Sequence, residues 1–74
     1  MNQAIGKTLK ALRKKNGLSQ EVLAEYLNIS QSAYSRIENG ESNSWTFHFE
    51  KLCNFYEIKP ATMFKKITKN SPKV

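Results

Sequence analysis

The sequence is poor in the residues that staple, chelate or catalyse. It holds one cysteine, Cys53, and one histidine, His48. One thiol cannot close an internal disulfide, and one thiol with one imidazole cannot complete a four-ligand zinc site. That predicts a reducing, cytoplasmic setting, no bound metal, and a core held by packing alone. The three glycines, Gly6, Gly17 and Gly40, are too scattered to build a phosphate-cradling loop. No paired carboxylates and no serine–histidine–acid arrangement stand out, so neither an enzyme nor a cofactor is expected. No apolar run approaches the ~20 residues needed to span a bilayer, and Met1-Asn2-Gln3 opens an amphipathic pattern where a secretory leader would be apolar.

What is present is a short chain rich in base. Seventy-four residues make one small domain, 39% apolar and 24% charged. Those proportions suit a folded soluble chain and not a disordered or membrane-embedded one. Twelve lysines and arginines against six acids give a net charge of +6. The bases are concentrated at the two ends. Residues 1–17 carry five bases and no acid, residues 58–74 carry five and no acid, and all six acids fall between them. Such a balance suggests a polyanionic partner, most often nucleic acid. Lysines that merely keep the chain soluble are the plainer alternative, which composition leaves open.

The apolar periodicity is helical almost throughout. Ile5, Leu9 and Leu12 mark a first helix over roughly 2–15, ended by Asn16-Gly17. Ser19 is a good N-cap for a second helix carrying Val22, Leu23, Tyr26 and Leu27. Asn28 supplies a turn, and Ser30 caps a third helix that runs to about Asn39 and closes at Gly40. Glu41-Ser42-Asn43-Ser44 reads as a loop. A fourth helix places Phe49, Leu52, Cys53 and Tyr56 on one face. Pro60 suits the first turn of a fifth, with Met63, Phe64 and Ile67 expected inward. The domain is expected over 1–67, with a polar tail over 68–74. No strand pattern appears, so the fold class is all-α.

The second and third helices are joined by so short a turn that they must cross steeply, which is helix-turn-helix geometry. On the third helix Ala33, Tyr34 and Ile37 can face the core. The opposite stripe holds Ser32, Ser35, Arg36 and Asn39, without an acid until Glu38.

The segment from Leu18 to Gly40 is similar to the helix-turn-helix of the Cro/C1, or xenobiotic response element (XRE), family. Leu18-Ser19-Gln20, Leu23-Ala24, Ile29-Ser30-Gln31 and Ile37-Glu38-Asn39-Gly40 fall at the family's spacing. The likeness covers nearly the whole chain. It implies a five-helix, lambda-repressor-like DNA-binding domain of a transcriptional regulator, most simply a repressor that binds a palindromic operator as a homodimer. It also implies that Arg13 and Glu38 form a buried pair tying the first helix to the third. Three features depart from the family pattern. Asn28 stands where glycine is usual, the loop after the third helix lacks a base for phosphate, and Trp45-Thr46-Phe47-His48 opens the fourth helix.

On this reading Gln31, Ser32 and Arg36 contact base edges, while Gln20, Ser35, Asn39 and Lys10 contact the DNA backbone. Glutamine can bond an adenine edge bidentately, and arginine can reach a guanine edge or a phosphate. A surface ion pair with Glu38 or Glu41 is the plain alternative for Arg36. Lys7, Lys10 and Lys14 share one side of the first helix, either as a DNA-attracting row or as a solvated face; the lysines of 65–73 have the same two readings. His48 is expected at the surface or in packing, and Cys53 in the core. The excess of aromatics at Trp45, Phe47, Phe49, Phe55 and Tyr56 suits either an enlarged core or a two-fold contact at the start of the fourth helix. It also sustains a competing function, a protein-interaction module of the same fold such as an antitoxin.

Overall fold

The computed structural model describes residues 1–69, which form five α-helices and no strand. They are α1 (Asn2–Lys15), α2 (Gln20–Leu27), α3 (Gln31–Glu38), α4 (Trp45–Phe55) and α5 (Pro60–Lys69). Thr68 and Lys69 belong to α5, and the rest of the expected tail, 70–74, lies outside the described residues.

Each boundary has a local cause. The Ser19 hydroxyl accepts from the Val22 amide, and the Ser30 hydroxyl accepts from the Ala33 amide at 3.0 Å, so both helices of the central pair start on a serine cap. Between them Asn28 takes a left-handed conformation, φ 58°, and the Ile29 amide returns to the Ala24 carbonyl at 3.0 Å. That closes α2 and redirects the chain within three residues. Gly40, at φ 75°, ends α3 in the same way. Glu57, at φ 53°, makes a comparable reversal after α4, where the sequence carries no turn residue.

The core is formed by Ile5 and Leu9 of α1, Leu23 and Leu27 of α2, Tyr34 and Ile37 of α3, Trp45 and Leu52 of α4, and Met63 and Ile67 of α5. Full burial of each such side chain stabilises the fold by ~1.5–3 kcal/mol before entropy is counted. Helix α1 packs on α3 and α5, α2 on α3, and α4 on α5. Gly6 sits at the α1–α3 crossing, where a Cβ would stand 2.3 Å from the Glu38 carbonyl oxygen.

Three apolar expectations need correction. Phe64 is 43% exposed and does not face inward. The buried stripe of α5 is Met63 and Ile67, four apart, and the next residue turns ~100° away from it. Phe64 instead leans its ring on Phe49, centroids 4.9 Å apart. Val22 and Tyr26 are likewise exposed, because α2 buries Leu23, Ala24 and Leu27. Tyr26 finds a partner outside that stripe in the ring of Phe55, edge-on at 4.7 Å.

Candidate nucleic-acid interface

The start of α2 and the outward face of α3 form one shallow concavity lined by Gln20, Gln31, Ser32, Ser35 and Arg36. Five of the seven side chains expected at DNA therefore meet in one place. Asn39 and Lys10 do not line it. Asn39 is exposed at the C-terminal cap of α3, and Lys10 is exposed on α1.

The chemistry of the concavity follows from its lining. Two carboxamides offer both donors and acceptors, two hydroxyls rotate to either role, and one guanidinium donates only. No carboxylate lines it. Its floor is α3 itself, held from behind by Tyr34 and Ile37, both fully buried. Polar groups of this kind, presented in a row on a backed helix, match the edges that base pairs expose in the major groove.

Directly behind the lip of the concavity lies a buried ion pair. Arg13 donates to Glu38 through Nε at 2.7 Å and through Nη2 at 3.1 Å, a two-pronged contact between α1 and the end of α3. The side chains are 12% and 1% exposed, and the pair links α1 to the end of α3. Arg13 Nη1 also donates to the Leu18 carbonyl at 2.8 Å, and Gln20 Nε2 donates to Glu38 Oε1 at 3.1 Å. Burial pushes the Glu38 pKa up. Hydrogen bonds from Arg13 and Gln20, together with the nearby Tyr34 hydroxyl, outweigh it and hold the carboxyl below its ordinary range. Arg13 is pushed up, first by its bond to Glu38. The Tyr34 hydroxyl lies close enough to the carboxylate to influence it, though short of strict hydrogen-bond geometry. Burial, followed by the charge of Glu38, raises Tyr56 to about 12.

Two features of this region had no signal in the sequence. The Gln20–Glu38 bond joins residues 18 apart on different helices, and Gln20 read in isolation is only a first-turn polar residue. The second is a clamp at the other end of α1. Trp45 Nε1 donates to Asn2 Oδ1 at 2.7 Å, and the Asn2 amide donates to the Asn43 side chain. It pins the start of α4, with Trp45 buried and packed edge-on against Phe49 at 6.1 Å. Phe47, two residues on, is 84% exposed. His48 is half-buried, and Cys53 is buried with its thiol pKa raised by that burial. No helix among the described residues is long and apolar enough to cross a membrane.

Two packed helices joined by a three-residue turn, the second a backed helix with a polar outward face, define a small helix-turn-helix DNA-binding domain. The family model for the helix-turn-helix matches residues 9–63. The chain is 38% identical over 65 residues to the control protein C.MunI of a Mycoplasma species, an alignment covering 86% of this chain and 88% of that one. It is 37% identical over 54 residues to the antitoxin PezA of Streptococcus pneumoniae, covering 73% of this chain but only 34% of PezA. The chain belongs to the helix-turn-helix family of Cro/C1-type transcriptional regulators, which act by binding DNA.

Proposed function

We propose that this regulator represses transcription by seating α3 in the major groove of a palindromic operator, as a homodimer in the cytoplasm. Its activity is binding and not catalysis. In this reading Gln31, Ser32 and Arg36 meet base edges. Gln20 and Ser35 meet phosphates near them, and Asn39 and Lys10 meet backbone farther out. A domain docked in this way excludes other proteins from the same base pairs, which is the simplest route to repression. The observation that carries the reading is the acid-free concavity that gathers Gln20, Gln31, Ser32, Ser35 and Arg36.

In this reading the partner surface of the dimer is the start of α4. Phe47 is 84% exposed there, and on another face of the same helix Phe49 meets the exposed ring of Phe64. An apolar patch on so small a domain commonly marks an interface. The same residues support a second reading, in which the chain is chiefly a protein-binding module. The similarity to an antitoxin over 73% of the chain is compatible with it.

Salt dependence of binding to duplex DNA separates the two. A DNA-binding domain loses affinity linearly in log–log terms as salt rises, with a slope of about 0.9 per phosphate neutralised. A protein-interaction module has little DNA affinity at low salt and no such slope.

A further inference from the structure

The Arg13–Glu38 pair does more than join α1 to α3. It reaches the chain on both sides of the Ser19 cap. Arg13 Nη1 holds the Leu18 carbonyl at 2.8 Å, and Glu38 Oε1 holds Gln20 Nε2 at 3.1 Å. The entry to α2 is therefore fixed once through backbone and once through a side chain. Gln20 lines the concavity and Glu38 does not. Glu38 is buried behind it, with Oε2 taken by Arg13 Nε and Oε1 shared between Arg13 Nη2 and Gln20.

We propose that Glu38 is a positioning residue for DNA binding, holding the Gln20 carboxamide at the lip of the concavity while Arg13 cancels its charge. The proposal rests on the reading that Gln20 meets a phosphate. A phosphate oxygen accepts and does not donate, so Gln20 must offer it an N–H. One Nε2 proton is spent on Glu38, which points the other away from the carboxylate. The backbone N–H groups that open α2, ahead of the Val22 amide capped by Ser19, belong to the same first turn, the usual setting for an anion at a helix start. An unanchored glutamine would surrender rotamer freedom on binding, and this one has surrendered it already. A bare carboxylate so near the DNA would repel phosphate. The two-pronged bond from Arg13 removes that repulsion while leaving Oε1 able to accept from Gln20.

Glutamate is the side chain that fits this task. Its two oxygens accept three donors at once, whereas a glutamine would turn an NH2 group either toward Arg13 Nε or toward Arg13 Nη2 and Gln20 together, and an apolar side chain would accept from none of them. Glu38→Met, which removes both oxygens, should therefore release Gln20 as well as weaken the strut.

The test is a double-variant cycle read on DNA binding, with an amide-exchange measurement on the unmodified protein. Gln20→Met should weaken binding about fivefold on selected and scrambled duplexes alike, the loss of roughly one hydrogen bond. Its salt slope should fall by ~1. Glu38→Met, studied at a temperature where circular dichroism shows it folded, should reproduce both changes. The pair Gln20→Met/Glu38→Met should bind within about twofold of the weaker single variant, since both remove one contact. By NMR, one Gln20 Nε2 proton of the unmodified chain should exchange with water more slowly than the side-chain protons of Gln3 and Gln31, which are exposed. Losses that multiply in the double variant would overturn the proposal while leaving Gln20 as a phosphate contact. A Gln20 amide that exchanges as fast as Gln3 would overturn it even if Glu38→Met did not fold. Unchanged binding by Gln20→Met, with its amide protected in the unmodified chain, would remove the phosphate reading itself and the proposal with it.

Discussion

Gly6 faces the carbonyl oxygen of Glu38 so closely that a methyl group on its α-carbon would stand 2.3 Å away. Helix α1 can therefore lie against the end of α3 only because position 6 has no side chain. Alanine is the better helix former by ~1 kcal/mol, which alone would favour Gly6→Ala. The obstructing atoms are backbone, however, and cannot rotate away, so overpacking at ~1–3 kcal/mol should prevail. The variant is expected to melt several degrees lower, at ~4–8 °C per kcal/mol for a domain this size. A melting temperature equal to or above that of the unmodified chain would show that the two helices do not approach so closely.

The strut between Arg13 and Glu38 makes stability depend on pH in a defined direction. The Glu38 pKa is held below its ordinary 4.5 in the folded chain. On acidification the unfolded chain takes up that proton first. The contribution is complete above pH 4.5 and is lost as pH falls from there through the folded value. Tyr56 shows the opposite sign, since burial first and the Glu38 charge second raise it from 10.0 to about 12. Its contribution is complete below pH 10 and declines between pH 10 and about 12. Urea midpoints across the pH range should trace both edges. Glu38→Ala, which leaves Arg13 partly buried without its partner, should cost ~3–5 kcal/mol at neutral pH. A loss below 1 kcal/mol, or an acid edge unchanged in that variant, would mean that the pair is not a strut.

Much of this architecture was legible in the sequence because it is local. Serine caps at Ser19 and Ser30, Asn28 at the turn, and the Leu23/Leu27 and Tyr34/Ile37 spacings are signals within one or two turns of helix. The grouping of Gln20 with Gln31, Ser32, Ser35 and Arg36 was legible once the two helices were crossed over a short turn. The Gly6–Glu38 approach, the Gln20–Glu38 bond and the Asn2–Trp45 clamp join residues 18 to 43 positions apart. No local propensity encodes them. Phe64 and Tyr26 were misplaced for a related reason. Apolar residues flanking a buried stripe read as core until the neighbouring helix is set against it.

Asn28 offers a test of the turn itself. Its φ of 58° costs most side chains ~1–2 kcal/mol, and asparagine and glycine least. Asn28→Gly should therefore be neutral or nearly so in thermal melts, and Asn28→Val clearly destabilised. Equal melting of the two would contradict the left-handed conformation.

Phe47 carries the dimer proposal. Because it is 84% exposed, Phe47→Glu should change folding stability by no more than about 0.5 kcal/mol. It should nevertheless convert a dimer to a monomer in sedimentation at tens of micromolar. An unmodified chain that already sediments as a monomer there, with no change on substitution, would remove this surface as the two-fold contact.

The most direct test of the central claim, that α3 reads DNA through its outward face, is the effect of Arg36→Ala on two duplexes. One is an operator selected by the unmodified protein, and the other is the same sequence scrambled, both at one salt concentration. Arg36 is exposed and lines the concavity, so the variant should fold normally. Loss of a base contact should weaken operator binding by ~1–3 kcal/mol and leave scrambled DNA much less affected, narrowing the ratio between them. Equal weakening on both would make Arg36 a phosphate contact. Unchanged binding to both, with the fold intact, would contradict the account of α3 as the reading helix.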